Sequence, residues 1–123
     1  MRVLVIDDSR AVRMVIGRIM RELGFEVHEA GNGREGLEQL GRMERPDVIL
    51  VDWNMPEVNG LEFIAAVRRN AAYEATPIIM VTTETEMNQV VRALETGASE
   101  YIMKPFTKDI ILDKLAMLSV VPA

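Results

Sequence analysis

Polar side chains follow or end four short apolar runs of the sequence. They are Asp7 and Asp8 after residues 2–6, Asp52 at the end of 48–52, Thr82 at the end of 78–82, and Lys104 at the end of 100–104. Carboxylates held close together repel one another, and raised pKa values or a bound hard cation relieve that repulsion. Oxygen ligands without His or Cys favour Mg²⁺ or Mn²⁺ over Zn²⁺. If the fold brings the runs together, the three Asp residues predict a divalent-cation site.

Asp52 is the best candidate nucleophile, because a carboxylate can attack an activated phosphorus and form an acyl phosphate. Lys104 would then pair with one phosphoryl oxygen, and the Thr82 hydroxyl would donate to another. Phosphorylation replaces a charge of −1 by about −1.5 to −2. The added negative charge would attract Thr82 and Lys104 inward, which predicts a phosphorylation switch.

Five apolar runs alternate with segments of helical periodicity, and these elements must position the polar groups. Strands are predicted at residues 2–6, 26–30, 48–52, 78–82 and 100–104. Helices are predicted to start at Ser9, Asn32 and Thr107, and Asn32 with Glu35 resembles a capping box. Helix ends are predicted at Gly24 and Gly97. The second helix is predicted to run through Leu40 and Met43, and the fourth to carry Met87, Val90, Val91 and Leu94. The connections are too long for hairpins. The pattern therefore predicts an α/β fold with a parallel sheet and right-handed crossovers.

The pattern does not give the strand order, although 2-1-3-4-5 is one of two common doubly wound orders. That order opens a crevice between the first and third strands, and both of these end in Asp. Four arginines lie between the apolar positions of the first helix, namely Arg10, Arg13, Arg18 and Arg21. We interpret them as a solvated face, which is usual for charges on an amphipathic helix.

Length and composition predict one domain over residues 1–123, with no separate output domain. The absence of Cys excludes a disulfide scaffold and thiolate metal sites, and no signal peptide is recognisable, so a cytoplasmic protein is expected. We also expect a monomer. The apolar runs are far shorter than the roughly 20 residues of a membrane-spanning helix. A net charge of −5 argues against binding nucleic acid or an acidic membrane surface.

The chain resembles the receiver domain of bacterial two-component response regulators over essentially its whole length. The resemblance rests on Asp7-Asp8, the run from Asp52 to Gly60, Thr82 and Lys104-Pro105, which stand at the family's spacing. It implies the flavodoxin-like strand order 2-1-3-4-5 and a switch rather than an enzyme. It also implies that Asp52 accepts a phosphoryl group from a histidine kinase.

The resemblance further implies a ligand set for Mg²⁺. Asp8, Asp52 and the backbone carbonyl of Asn54 would hold the ion, with Asp7 assisting. In the family the peptide bond between Lys104 and Pro105 is commonly cis. The phosphorylated state is expected to last seconds to minutes, since Asn54 and Glu84 could orient a water for hydrolysis.

Within the family, the run Asp-Trp-Asn-Met-Pro at residues 52–56, together with Glu84 and Tyr101, is most similar to single-domain chemotaxis regulators. The output partner, a short helix or peptide, is expected on the fourth helix, fifth strand and fifth helix, around Val90, Tyr101 and Lys114. Tyr101 is expected to turn inward with the switch. Thr83 departs from the small residue that is usual after the switch hydroxyl, and its bulk could crowd that path.

Three other interpretations stay open. An aspartyl-nucleophile phosphatase of the haloacid dehalogenase type needs Asp-x-Asp after the first strand, whereas this chain has adjacent Asp7 and Asp8. In a flavodoxin-like flavin binder, that acidic pair would repel the cofactor phosphate. A receiver that acts as a phosphate sink or developmental regulator, away from chemotaxis, is the nearest alternative.

Overall fold

The computed structural model describes residues 1–53, 55, 57–83 and 88–120. Its strands are β1 (Arg2–Ile6), β2 (Glu26–Ala30), β3 (Val48–Asp52), β4 (Ile78–Thr82) and β5 (Glu100–Met103). Its helices are α1 (Arg10–Glu22), α2 (Gly33–Leu40), α3 (Gly60–Arg68), α4 (Val90–Thr96) and α5 (Lys108–Met117), and a short 3₁₀ helix covers Ala71–Tyr73. Strands and helices alternate along the chain, as the sequence predicts.

The five strands form one parallel sheet in the order β2-β1-β3-β4-β5. This arrangement confirms the α/β, flavodoxin-like, doubly wound fold. Because β1 and β3 are neighbours, with Ile6 opposite Val51, the residues that follow Ile6 lie beside Asp52. The carboxyl end of the sheet is therefore the edge where the polar residues of β1 and β3 meet.

Both faces of the sheet are buried, because successive residues of each strand point to opposite sides. On β1, Leu4 and Ile6 pack with α2, α3 and α4, whereas Val3 and Val5 pack with α1 and α5. Every residue of β3 and β4 is buried. Near-continuous apolar strands are typical of a parallel sheet that is covered by helices on both sides.

The predicted N-caps are confirmed, because the side chains of Ser9, Asn32 and Thr107 accept a hydrogen bond from the backbone of the first turn of α1, α2 and α5. The capping box is complete at a different helix. Asn59 and Glu62 bond to each other's backbone amides at the start of α3, whereas the carboxylate of Glu35 accepts from the amide of Gly31.

Two predicted boundaries were wrong. Helix α2 ends at Leu40 and not at Met43, because Gly41, a poor helix former, begins a turn there. Strand β5 ends at Met103 and not at Lys104. The amide of Lys104 still donates to the Thr82 carbonyl, at 2.7 Å, but Pro105 has no amide with which to continue the ladder.

Helix α4 forms at the predicted Val90, Val91 and Leu94 and is capped by Gly97, whereas Met87 lies outside the described residues. The apolar positions of α4 do not all face the core. Val90 and Ala93 are buried, whereas Val91 is 61% and Leu94 is 40% exposed. Gly97 has a φ of 135°, and a Cβ there would lie 2.5 Å from Cγ of Arg68. Within the described residues, no helix is long and apolar enough to cross a membrane.

Candidate functional site

Three carboxylates meet at the carboxyl end of β1 and β3. Asp7 and Asp8 follow β1, and Asp52 is the last residue of β3. One carboxylate oxygen from each of the three residues lies within 4.8 Å of the others. Asp7 is 2% and Asp52 is 6% exposed, whereas Asp8 lies open to solvent. The structure thus brings together the three Asp residues that the sequence singled out.

Lys104 completes the cluster from the far side of β4. Its Nζ lies 3.2 Å from Oδ1 of Asp52 and 3.4 Å from Oδ2 of Asp7. The peptide bond between Lys104 and Pro105 is cis, as the resemblance implied. One ammonium group therefore serves two buried carboxylates, and the cluster keeps an excess of negative charge.

The electrostatics of the cluster follow from burial and charge. Burial, together with the negative charge of Asp7, raises the pKa of Asp52 from 3.8 to about 6, and Lys104 offsets only part of that rise. Burial disfavours the charged form of Lys104, but the charges of Asp52 and Asp7 outweigh this effect and raise the Lys104 pKa. Loss of a proton from Asp52 is thus costly unless further positive charge arrives.

The donor atoms of this cluster fit a hard divalent cation. The groups are carboxylate oxygens, one exposed and two buried, and oxygen is the ligand that Mg²⁺ and Mn²⁺ prefer. The pKa of Asp52 is raised by burial and by the charge of Asp7, and a bound cation would oppose both effects. The backbone carbonyl of Asn54, the fourth expected ligand, lies outside the described residues.

The loop after β3 is shaped by a close backbone approach. The amide of Gly60 donates to the Trp53 carbonyl at 3.0 Å, and the Trp53 amide donates to the Val81 carbonyl at 3.1 Å. A Cβ on Gly60 would lie 2.6 Å from the Asp52 carbonyl oxygen. Gly60 is therefore needed where the chain folds back over Asp52, and Trp53 lies half-buried beside the cluster.

The interpretation of the α1 arginines as a solvated face was wrong for Arg13. Its side chain is only 18% exposed. Its Nη1 donates to the backbone carbonyl of Asp7 at 2.6 Å, and its Nε donates to Glu29 Oε1 at 3.2 Å. Helical spacing identifies the apolar stripe of α1, but it does not show how far a long side chain at the border of that stripe reaches.

The two expected switch residues lie beyond the carboxylates. Thr82 is fully buried, and its hydroxyl donates to the Thr83 carbonyl at 3.3 Å. Tyr101 on β5 is half-buried, and the Lys114 ammonium lies 4.7 Å from the centre of its ring. Lys114 also pairs with Glu100 at 3.2 Å. Glu84, expected near the same site, lies outside the described residues.

Comparison with protein families matches residues 3–116 to the response regulator receiver domain. A chemotaxis protein CheY homolog of Campylobacter jejuni is 45% identical over 116 residues, covering 94% of this chain and 89% of the relative. The chemotaxis protein CheY1 of Helicobacter pylori is 41% identical over 119 residues, covering 96% of both chains.

Solved structures agree with these relatives. The chemotaxis response regulator CheY4 of Vibrio cholerae, crystallised at low pH, superposes with a TM-score of 0.88 at 38% identity, covering 95% of this chain and 97% of that one. A second structure of the same protein gives a TM-score of 0.86 with the same identity and coverage.

Proposed function

The chain belongs to the response regulator receiver family, and from this premise we propose that it accepts a phosphoryl group on Asp52 from a histidine kinase. The observation that carries the proposal is the contact of one lysine, Lys104, with two buried carboxylates beside an exposed third. This arrangement holds a carboxylate nucleophile next to a cation that can pair with phosphoryl oxygens.

In the proposed transfer, a carboxylate oxygen of Asp52 attacks the phosphorus of a phosphohistidine. A new P–O bond forms, the P–N bond breaks, and the imidazole leaves with the bonding electrons. The product is an acyl phosphate. Lys104, already hydrogen-bonded to Asp52, would exchange that contact for a phosphoryl oxygen and stabilise the charge that develops.

Asp7, Asp8, Asp52 and the Asn54 carbonyl would hold Mg²⁺, or Mn²⁺, for this transfer. The ion would neutralise charge on the carboxylates and on the incoming phosphoryl oxygens. The residues of the chain supply the rest. Asp7 and Asp52 are buried, and Lys104 would hold the acceptor oxygen of Asp52 in place.

Thr82 would couple the change in charge at Asp52 to a conformational change at the protein surface. Its hydroxyl now donates to the Thr83 carbonyl over 3.3 Å, a long and therefore weak bond for a hydroxyl donor. A phosphoryl oxygen with a charge of about −1.5 to −2 shared among three atoms is a stronger acceptor. We propose that Thr82 turns to it and that Tyr101 follows inward.

The proposed output surface comprises α4, β5 and α5 around Val90, Tyr101 and Lys114. Val91 and Leu94 leave apolar area open on α4, which suits a short amphipathic helix or peptide. Amide chemical shifts on phosphorylation should change on this surface. Changes confined to α1 and α2 would contradict the proposed location.

The relatives favour chemotaxis as the pathway, since several of them bear that description. A phosphate sink or developmental regulator would use the same site with a different partner. A phosphatase of the haloacid dehalogenase type is disfavoured, because it needs Asp-x-Asp after the first strand, whereas Asp7 and Asp8 are adjacent and are followed by Ser9. Asn54 and Glu84 remain the proposed determinants of a lifetime of seconds to minutes.

Labelling with acetyl phosphate tests the phosphoacceptor. In millimolar Mg²⁺, intact-mass analysis should show one phosphoryl group on the wild-type chain and none on Asp52→Asn. The acyl phosphate should be lost in alkali. Asp113→Asn, an exposed carboxylate on α5, is the control and should label normally. Full labelling of Asp52→Asn would contradict the assignment.

A further inference from the structure

Arg13 lies in the first turn of α1, and its guanidinium joins the loop after β1 to strand β2. One nitrogen donates to the Asp7 carbonyl at 2.6 Å, and another donates to Glu29 on β2 at 3.2 Å. Asp7, Arg13 and Glu29 all lie within the described residues, and the Arg13 side chain is largely buried. Ordering a long Arg side chain costs conformational entropy, and the two hydrogen bonds of Arg13 offset that cost.

Asp7 is held by hydrogen bonds at its amide, its carbonyl and its carboxylate. Its amide donates to the Ala30 carbonyl at 3.1 Å, its carbonyl accepts from Arg13, and its carboxylate accepts from the Ser9 amide at 2.9 Å. The peptide bonded by Arg13 is the one that joins Asp7 to Asp8. Its orientation therefore sets where both carboxylates of the acidic pair point.

We propose that Arg13 is a positioning residue that orients Asp7 and Asp8 for divalent-cation binding, and that Glu29 acts on the site through Arg13. The inference rests on the proposed metal-binding role of the acidic cluster. Glu29 pairs with Arg13 and, at 3.9 Å, with Arg21. Its influence on the cluster would pass through one guanidinium.

The sign of the effect separates this proposal from simple electrostatics. Arg13 carries a positive charge, so Coulomb repulsion alone would make Mg²⁺ bind more tightly once the charge is removed. If Arg13 orients Asp7 and Asp8, its removal should instead make Mg²⁺ bind more weakly. Residues that orient metal ligands typically contribute about 10- to 100-fold to metal affinity.

The test is a Mg²⁺ titration of the metal-free protein, followed by the emission of Trp53. Arg13→Gln should weaken the affinity by about 10-fold, and Glu29→Gln should weaken it by a smaller factor. The double variant should bind no more weakly than Arg13→Gln alone, because Glu29 would act only through Arg13. Arg21→Gln removes the same charge from the same helix beside the same Glu29 and should bind like the wild type.

A spectroscopic measurement without metal distinguishes positioning from general damage. A hydrogen bond to the Asp7 carbonyl polarises the peptide that contains the Asp8 nitrogen. The ¹⁵N shift of Asp8 should therefore move in Arg13→Gln and, in the same direction, in Glu29→Gln, but not in Arg21→Gln. Amide signals of β4 and β5 should stay in place.

Three results would overturn the inference. They are unchanged or tighter Mg²⁺ binding in Arg13→Gln, an equal loss in Arg21→Gln, and additive losses in the double variant. Failure of the wild-type protein to bind Mg²⁺ would instead contradict the proposed metal site. If Arg13→Gln does not fold, the ¹⁵N shift of Asp8 in Glu29→Gln decides the question, and an unchanged shift overturns the inference. Its Mg²⁺ affinity does not, because loss of the Glu29 charge alone would weaken cation binding.

Discussion

The two ends of the parallel sheet use polar groups in opposite ways. At the amino end, the Asp47 carboxylate accepts the Arg2 amide at 2.7 Å, and the Arg2 guanidinium pairs with Glu26 and Glu44. Arg68 donates there to the carbonyls of Gly97 and Tyr73. At the carboxyl end, three carboxylates share one lysine, and the pKa of one of them is raised.

This difference shows where the molecule gives up stability. Groups at the amino end are matched donor to acceptor, so they fasten loops to the sheet. The carboxylates at the carboxyl end repel one another, and only added positive charge would relieve that repulsion. Removal of a charged group should therefore destabilise the protein at the amino end, whereas removal of a carboxylate should stabilise it at the carboxyl end.

The largest effect is expected at Arg68 on the amino-end side. Its Nε donates to the Gly97 carbonyl at 2.9 Å and its Nη1 to the Tyr73 carbonyl at 2.7 Å. Arg68→Met should lower the free energy of unfolding by about 2–3 kcal/mol, because these carbonyls lose hydrogen bonds from a charged group. Urea unfolding measures the loss. Arg69→Met, an exposed neighbour, is the control, and equal losses would show that Arg68 has no special role.

The next largest effect has the opposite sign. Since the Asp52 pKa is raised from 3.8 to about 6 in the folded protein, the folded state holds this proton more tightly and loses stability as pH rises between those values. Asp52→Asn cannot ionise. In the absence of metal it should be more stable than the wild type by about 1–2 kcal/mol at pH 7, after allowance for screening by water.

The advantage of Asp52→Asn should shrink as pH falls and vanish near pH 4. Urea unfolding at pH 4, 5, 6 and 7 measures it, and Asp113→Asn serves as the exposed control. A stability difference that does not change with pH would show that the charge of Asp52 is not the cause.

The smallest effect is expected at Arg2. Its ion pairs are exposed, with 37% of the Arg2 side chain and 62% of the Glu26 side chain accessible. Arg2→Gln should cost less than about 1 kcal/mol, and less again in 1 M salt, because such pairs are screened. Arg45→Gln, also exposed, is the control. A loss as large as that of Arg68→Met would remove the distinction between exposed and buried contacts at the amino end.

Most of the fold could be predicted because apolar runs and helix caps are local signals. The N-caps at Ser9 and Thr107 and the stop at Gly97 each act within a few residues of themselves. The buried face of α4 was harder, since Val91 and Leu94 fit the helical period as well as Val90 does. Which of them faces the core depends on how the helix lies against α3 and β4, and the spacing does not contain that information.

The acidic cluster could be predicted for a topological reason. Parallel strands end at the same edge, so Asp8, Asp52 and Lys104 meet there whatever the details of the helices. Arg13 could not be predicted, because its role depends on the reach of a long side chain toward a backbone carbonyl. Its position beside Val12, at the border of the buried stripe, is the only signal that the sequence offers.

Helix α4 buries few of its side chains, and this limits the free energy that holds it in place. Two residues of this seven-residue helix are buried, Val90 and Ala93, and their burial contributes about 2–3 kcal/mol. A hydrogen bond to a charged group contributes about 1.5–3 kcal/mol. If Asp52 accepts a phosphoryl group as proposed, one new hydrogen bond there would contribute a free energy of the same size as the burial of Val90 and Ala93. We therefore expect phosphorylation alone to be able to shift α4.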